Sequence, residues 1–410
     1  MGTLSFSMEP YGVSVRDAGA RGDGTCDDGP AIQKALDGLR PVVTIPAGLY
    51  LVGTTLRIGS GKTLLAHPDA VIRLADGAGR TASDFLLANA DYESGNSQVR
   101  VCGGVWDGNN ENNARGPDGS RESYTGVALN FVHVSHLQLA GLTIRNPDSF
   151  SVRLGEIRHF TVDNIVFDHP VLRPNQDGVH VGGYCEDGTI RNLRALTPDS
   201  TNDDMVALNA DDDVERAINL GMKRGPIRDI HVEGLAAESA YTFVRILSET
   251  QPVRNIRICD VSGGCRTHAI NVNRWRFPAG CGNIANVRIS GVRVGKTADA
   301  RTTPLVSINL QARDLTIEQL ERPDDGCEAP TLVVDTGAEN EAGLIVRSRE
   351  QLQRLEADSA GLEGSVRPLT MPDGAILYQA TMRTTAAGRI LLAAGGIEHL
   401  ALNSGGGEGE

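Results

Sequence analysis

A parallel β-helix, an all-β solenoid, is the fold class this sequence predicts. Three observations carry it: a short alternating motif recurs at a near-constant period, a second alternating segment precedes most copies, and the links between them are too short for crossover helices. The motif reads LQLAGL (Leu137 to Leu142), FTVDNI (Phe160 to Ile165), IHVEGL (Ile230 to Leu235), IRICDV (Ile256 to Val261), VRISGV (Val287 to Val292) and LTIEQL (Leu315 to Leu320), with a weaker copy around Asn192. With Gly141, Asn164, Asn192, Gly234, Asp260, Gly291 and Gln319 as equivalent positions, the offsets are 23, 28, 42, 26, 31 and 28. Each is about one coil, with one long insertion between Asn192 and Gly234. A β-sandwich has no reason to keep such a period.

The elements follow in order. DDGPAIQKALDGL (Asp27 to Leu39) has a capping residue, an early Pro and apolar spacing at Ile32, Leu36 and Leu39, which predicts a short helix, most simply an N-terminal helical cap. VVTIPAGLYLV (Val42 to Val52) reads as strand, turn, strand and should begin the coils. The second segment of each coil reads SVRLG (Ser151 to Gly155), GVHVG (Gly178 to Gly182), MVALN (Met205 to Asn209), FVRIL (Phe243 to Leu247) and AINVN (Ala269 to Asn273). Its inward positions, from Val152 and Leu154 through Val206 and Leu208 to Ile270 and Val272, are all aliphatic, as stacked coils about 4.8 Å apart require. After about Pro330 the period fades into a strand and helix pattern (Leu344 to Asp358) and a Gly-rich tail. The division expected is therefore 1–330 as the β-helix catalytic domain and 331–410 as a C-terminal cap or small appendage, its last residues disordered.

Composition narrows the function. A net charge of −13, from 52 acidic against 39 basic side chains, repels a phosphate backbone and argues against nucleic acid as a partner. No run approaches the roughly 18 to 20 apolar residues of a membrane-spanning helix, which predicts a soluble chain with no membrane partner. The 48 glycines and 4% aromatic content suit short strands and turns. Seven scattered cysteines lack any CxxC pairing and read as buried thiols more than as a disulfide framework, and no cofactor or metal is expected. The N-terminus lacks the basic and long apolar regions of a secretory signal. Localisation is then cytoplasmic, or secreted or periplasmic if a leader was removed; oligomeric state is not legible.

In such a fold the outward residues of stacked strands line a groove, and function belongs there. The outward stripe reads Arg153, His180, Asn209, Arg245 and Asn271, with Arg274 and Arg276 just beyond. Carboxylates give the sharper signal. Asp177 in NQDG and the pair Asp203 and Asp204 in NDD each sit just before a strand, one coil apart (203 − 177 = 26). Stacking places them together, and carboxyl groups so close cannot all ionise, so an acid and a base coexist. Separations of about 6.5 to 9.5 Å would suit an inverting glycosidase. NADDD (Asn209 to Asp213) reads as a turn or a cation-binding segment.

The run from WDGNN (Trp106 to Asn110) through LTIRNPDSFSVRL (Leu142 to Leu154) and NQDG to NDDMVALN resembles glycoside hydrolase family 28, the polygalacturonases and their relatives. RDAGARGDGTCDDGPAIQKAL (Arg16 to Leu36) is similar to the opening segment of many pectate-lyase-like β-helix proteins. The resemblance covers approximately residues 13 to 320 and implies a right-handed helix. It implies Asp203 as general acid and Asp177 and Asp204 as the groups that position and activate water. The family's GHG motif is absent, since the expected region reads SAYTFVRIL (Ser239 to Leu247), and so is its RIK motif, although Arg245, Arg274 and Arg276 offer guanidinium groups nearby. His180 stands where the polygalacturonases carry an acidic residue. These departures imply a relative acting on another glycan, with Arg153, His180, Asn209, Arg245, Asn271 and Arg274 as substrate-binding candidates.

Two other functions compete with hydrolysis of a polysaccharide or oligosaccharide. A polysaccharide lyase would use Arg245 or His180 on the base side and Asp211, Asp212 and Asp213 to hold Ca²⁺. A non-catalytic carbohydrate-binding solenoid would use the Asp cluster only as turn chemistry. The loops Asn109 to Tyr124 and Val214 to Pro226 are placed to wall the groove and set specificity.

Overall fold

The computed structural model describes residues 12–117, 122–352 and 365–405. Residues 1–11, much of the helical pattern expected after Arg349, part of the Asn109 to Tyr124 loop and the end of the Gly-rich tail lie outside the described residues. Strand after strand pairs in parallel with the equivalent strand of the next coil. In one column the partners run Leu56, Leu87, Leu129, Val152, Val179, Val206, Val244, Ile270, Val306 and Leu332. Every one is fully buried. A second column runs Val101, Leu139, Val162, Ile190, Val232, Ile258, Ile289 and Ile317, and a third runs Ile165, Leu193, Leu235, Val261, Val292 and Leu320. One continuous core thus forms inside the coils, each side chain resting on its equivalent above and below.

The turn between the second and third columns explains the repeat. Gly141, Asn164, Asn192, Gly234, Asp260, Gly291 and Gln319, the equivalent positions of the motif, all have φ between 55° and 70°. A left-handed residue at each corner lets the strand bend without ending, and Gly, Asn and Asp, which fill six of the seven corners, take that conformation at the lowest cost. The core beneath it is sensitive to volume. Ile258→Ala, at a fully buried rung, is expected to cost about 2 to 5 kcal/mol; the midpoint and slope of urea unfolding check it.

A helix, Gly29–Asp37, with Pro30 in its first turn, buries Ile32, Ala35 and Leu36 against the strands Leu56–Ile58 and Gly48–Val52. Leu39, expected on its apolar face, is instead fully exposed beyond its end. Asp28 does not cap the helix with its side chain; its carboxylate accepts the N–H groups of Arg21 at 2.7 Å and Gly22 at 3.0 Å. No helix of the described residues is long and apolar enough to cross a membrane.

Parallel stacking continues past residue 330 to Leu332–Val334, and direction then reverses. Ile397–Ser404 lies antiparallel on Ala312–Glu321, followed outward by Asn340–Val346, Ile376–Thr384 and Ser365–Thr370. The outermost of these strands contains Pro368, which has no N–H to offer. All seven cysteines are free thiols, Cys185 and Cys265 buried and the rest partly so.

Candidate active site

The strands Val179–Val181 and Asp204–Asn209 pair with Val179 opposite Val206. The coil step here is therefore 27 residues, and Asp204, not Asp203, is the lateral equivalent of Asp177. The backbones approach closely: Gly178 N–H donates to the Asp204 carbonyl at 2.9 Å. A Cβ at Gly178 would lie 2.4 Å from the Met205 carbonyl oxygen, so the Gly of NQDG is required by this contact.

Asp177, Asp203 and Asp204 bring one carboxylate oxygen each within 4.8 Å of the others. That is tighter than the separation of about 6.5 to 9.5 Å expected for an inverting pair. Asp177 and Asp204 are buried, while Asp203 is partly exposed. Each has its own partner. Asn175 Nδ2 donates to Asp203 at 3.0 Å, Arg245 Nη1 stands 3.5 Å from Asp204, and His180 Nδ1 lies 2.7 Å from Asp177. His180 Nε2 is 2.8 Å from Asp212, so the imidazole bridges two carboxylates. Its ring stacks on Phe150 with centroids 3.9 Å apart. A cavity of about 160 Å³ opens on the cluster, lined among others by Asp177, Asp203, Asn209, Arg216, Arg245 and Trp275.

Burial dominates the protonation states. It lifts Asp177 to about 6, with the Asp203 charge adding to the rise and the His180 hydrogen bond opposing it. Burial likewise raises Asp203, against the pull of Arg245, and raises Asp204 well above the usual carboxylate range with help from Asp203. For His180 burial acts downward, but its hydrogen bonds to Asp177 and Asp212 outweigh it and lift the imidazole to about 9. Asp212, also buried, is drawn down to about 2 because its bond to His180 outweighs burial. Near neutral pH His180 is a cation, Asp177 and Asp212 are ionised, and the adjacent Asp203 and Asp204 share protons as a coupled set.

The structure sorts the predicted residues. Asp177, Asp203, His180, Asn209 and Arg245 line the cavity, and Asp204 lies behind them against Arg245. His180 has both nitrogens engaged by protein carboxylates, so it positions Asp177 and has no nitrogen left for a ligand. Asn209 is out of register with the stripe: Ala207 stands between His180 and Arg245, and its methyl group leaves room for the cavity. Asn271 is next to Arg245 on the following coil, buried, and accepts from Asn273 at 3.4 Å. Two expectations need correction. Arg153 is buried, with Nε on Asn130 at 2.8 Å, Nη1 on the Ile218 carbonyl and its guanidinium over Phe85, because the segment Ala217–Asn219 covers that end of the stripe. Arg274 does not line the cavity; the turn after Asn273 carries Trp275 there instead, with Arg276 stacked on it at 3.7 Å.

Sequence reasoning missed Asn175, Phe150, Arg216 and Trp275, and gave Asp212 a different role. Asn175 sat in the quoted NQDG, and the insertion between Asn192 and Gly234 signalled Asp212 and Arg216. Asp211, Asp212 and Asp213, suggested as Ca²⁺ ligands, are each engaged elsewhere. Asp211 accepts the N–H groups of Glu249, Thr250 and Gln251, Asp212 meets His180, and Asp213 pairs with Arg276 at 2.9 Å. The three cleft carboxylates are close enough to hold a cation, yet His180 and Arg245 already bring positive charge to them. Where the GHG histidine was sought stands Thr242; an imidazole arrives one coil later, as His268, its ladder partner. Burial, with Lys296 and Arg245 nearby, holds His268 neutral, down to about 3.

Comparison with known proteins accords with this architecture. A family model described as rhamnogalacturonase A/epimerase, pectate lyase-like, matches residues 12–114. The preneck appendage protein of Bacillus phage PZA is 31% identical over 147 residues, 34% of this chain but 17% of that protein's length. A probable polygalacturonase of Vitis vinifera is 24% identical over 283 residues, 63% of this chain and 56% of that one. Among solved structures, the surface adhesin PfbA of Streptococcus pneumoniae superposes with a TM-score of 0.55 at 15% identity, covering 78% of this chain and 82% of the adhesin. The family 28 exopolygalacturonase of Yersinia enterocolitica gives 0.54 at 16% identity, covering 79% and 68%. The chain thus shares the parallel β-helix fold of these structures, and its residues 12–114 are similar to the pectate-lyase-like family model.

Proposed function

We propose that the protein is a glycoside hydrolase that cleaves an acidic, pectin-like polysaccharide or oligosaccharide by direct displacement. The observation that carries this reading is the convergence of three carboxylates from two adjacent coils, all with raised proton affinity, two of them lining one cavity. Asp203, the partly exposed member, gives its proton to the glycosidic oxygen as the bond from the anomeric carbon breaks. A water held by Asp177 and Asp204 attacks that carbon from the opposite face and gives its proton to Asp177. The products are a new reducing end and a free hydroxyl, and solvent returns the proton from Asp177 to Asp203. Asp177 and Asp204 are buried and tied to His180 and Arg245, which suits them to holding water more than to bonding covalently with a sugar. That difference in exposure supports inversion despite the short spacing. Arg245, Arg216 and Arg276 beside Trp275 favour an anionic sugar on a chain of net charge −13.

In this reading residues 1–330 carry the catalysis, the helix Gly29–Asp37 closes the N-terminal end of the coils, and residues 331–410 close the other. The likeness to PfbA and to a phage appendage protein favours one second reading, glycan binding without turnover. A screen of plant and microbial glycans separates the two. Hydrolysis is expected to yield new reducing ends, inverted at the anomeric carbon by proton NMR taken before mutarotation. Binding with no new ends would support the second reading, and an unsaturated, ultraviolet-absorbing product would replace both with β-elimination.

A further inference from the structure

We propose that His231, Glu233 and Cys259 form a binding site for a zinc-class divalent cation, on a segment of the coil separate from the carboxylate cleft. His231 and Glu233 are two residues apart on one strand, with buried Val232 between them, so both point outward. Cys259 is the ladder partner of Glu233 on the next coil. One donor atom from each of the three lies within 4.8 Å of the others.

The spacing matches a tetrahedral ion. Metal bonds of about 2.0 to 2.1 Å to imidazole nitrogen and about 2.3 Å to thiolate sulfur, at the tetrahedral angle, put nitrogen and sulfur about 3.5 Å apart. His231 Nε2 and Cys259 Sγ are 3.4 Å apart, and His231 Nε2 stands 3.8 Å from Glu233 Oε2. Three vertices of the tetrahedron are already assembled on rigid, hydrogen-bonded strands. Imidazole, thiolate and carboxylate together suit zinc better than calcium or magnesium, which take all-oxygen sets.

The surroundings leave the donors available. Arg191, beside Glu233 on the preceding coil, turns its guanidinium to Asp163 at 2.8 Å. The His231 and Glu233 side chains are 37% and 43% exposed, so an ion can enter from solvent and keep a water as fourth ligand. Arg257, the exposed ladder partner of His231, opposes a dication but is screened by water. Because Cys259 belongs to one coil and His231 and Glu233 to the previous one, the ion would staple the two coils together.

Cobalt(II) as a spectroscopic stand-in tests the site on the full chain. One equivalent is expected to bind with a sulfur-to-cobalt charge-transfer band in the near ultraviolet, displaced by zinc, and zinc is expected to raise the Tm. Cys259→Ser should abolish the band, and His231→Gln should weaken cobalt binding at least tenfold, with circular dichroism unchanged in both. No band in the wild type would mean that the contact is only a His–Cys hydrogen bond. A band that survives Cys259→Ser would place the metal on another thiol; either result overturns the proposal.

Discussion

Asp203→Asn is expected to lower kcat on the best glycan by about a hundred- to ten-thousand-fold, the usual contribution of a positioned general acid. Stability should move the other way. Asp203 raises the proton affinity of both Asp177 and Asp204 through its charge, so its neutralisation relieves a repulsion inside a low-dielectric site. The variant should unfold at an equal or higher urea concentration while its Asp177 titrates at lower pH. This opposition of activity and stability is a signature of a catalytic group and not of a structural one. Steady-state rates, urea midpoints and NMR titration of the carboxyl carbons measure the three effects. Activity within threefold of wild type would remove Asp203 from the chemistry.

His180→Ala is expected to cost about 3 to 5 kcal/mol, since it leaves Asp177 and Asp212 buried without the cation that bridges them. Phe150 also loses its stacking partner. Turnover should fall with it, because Asp177 would no longer be held toward the water. The pH dependence gives a sharper readout. His180 is raised from 6.5 to about 9, so its stabilisation is complete below about pH 6.5 and is lost as pH rises through 9. The shift corresponds to about 3 kcal/mol. Asp212, lowered from 3.8 to about 2, stabilises above about pH 4 and ceases to do so as pH falls through 2. Asp177, raised from 3.8 to about 6, stabilises the fold only while protonated and loses that contribution as pH rises through 6. The site is therefore most favourable to the fold near pH 4 to 5, and wild-type stability should decline from there to pH 9. In His180→Ala the part of the decline centred on pH 9 should vanish, while the Asp177 part moves to higher pH because the hydrogen bond that lowers its proton affinity is gone. Urea midpoints across that range check it; a parallel decline in both proteins would mean that His180 does not titrate as described.

Much of this was legible because a solenoid writes its geometry into spacing. The motif positions Gly141 through Gln319 are equivalent by their place in the repeat, and each is a left-handed corner. The aliphatic rungs Val152, Val179, Val206, Val244 and Ile270 stack in order. What escaped the sequence was register finer than a coil. Asp203 seemed the partner of Asp177 at 26 residues, but the bend before Asp204 takes up one more. A separate displacement of two residues put Asn209 in a stripe where Ala207 stands. Burial escaped as well. Arg153 has the spacing of a groove residue, yet a short helical segment from a distant insertion, Ala217–Asn219, covers it. Asp212 and Trp275 come from loops, whose paths have no period to follow.

The antiparallel finish of the sheet decides how such molecules meet one another. A stack of parallel coils is an open template, since its last strand presents a row of unsatisfied amides on which another chain can grow. Here the strands Ile397–Ser404, Asn340–Val346 and Ile376–Thr384 reverse the direction, and the border strand Ser365–Thr370 carries Pro368 beside the charged Arg367. An incoming strand would face a missing donor and an exposed guanidinium. Strand addition at that border is thereby disfavoured.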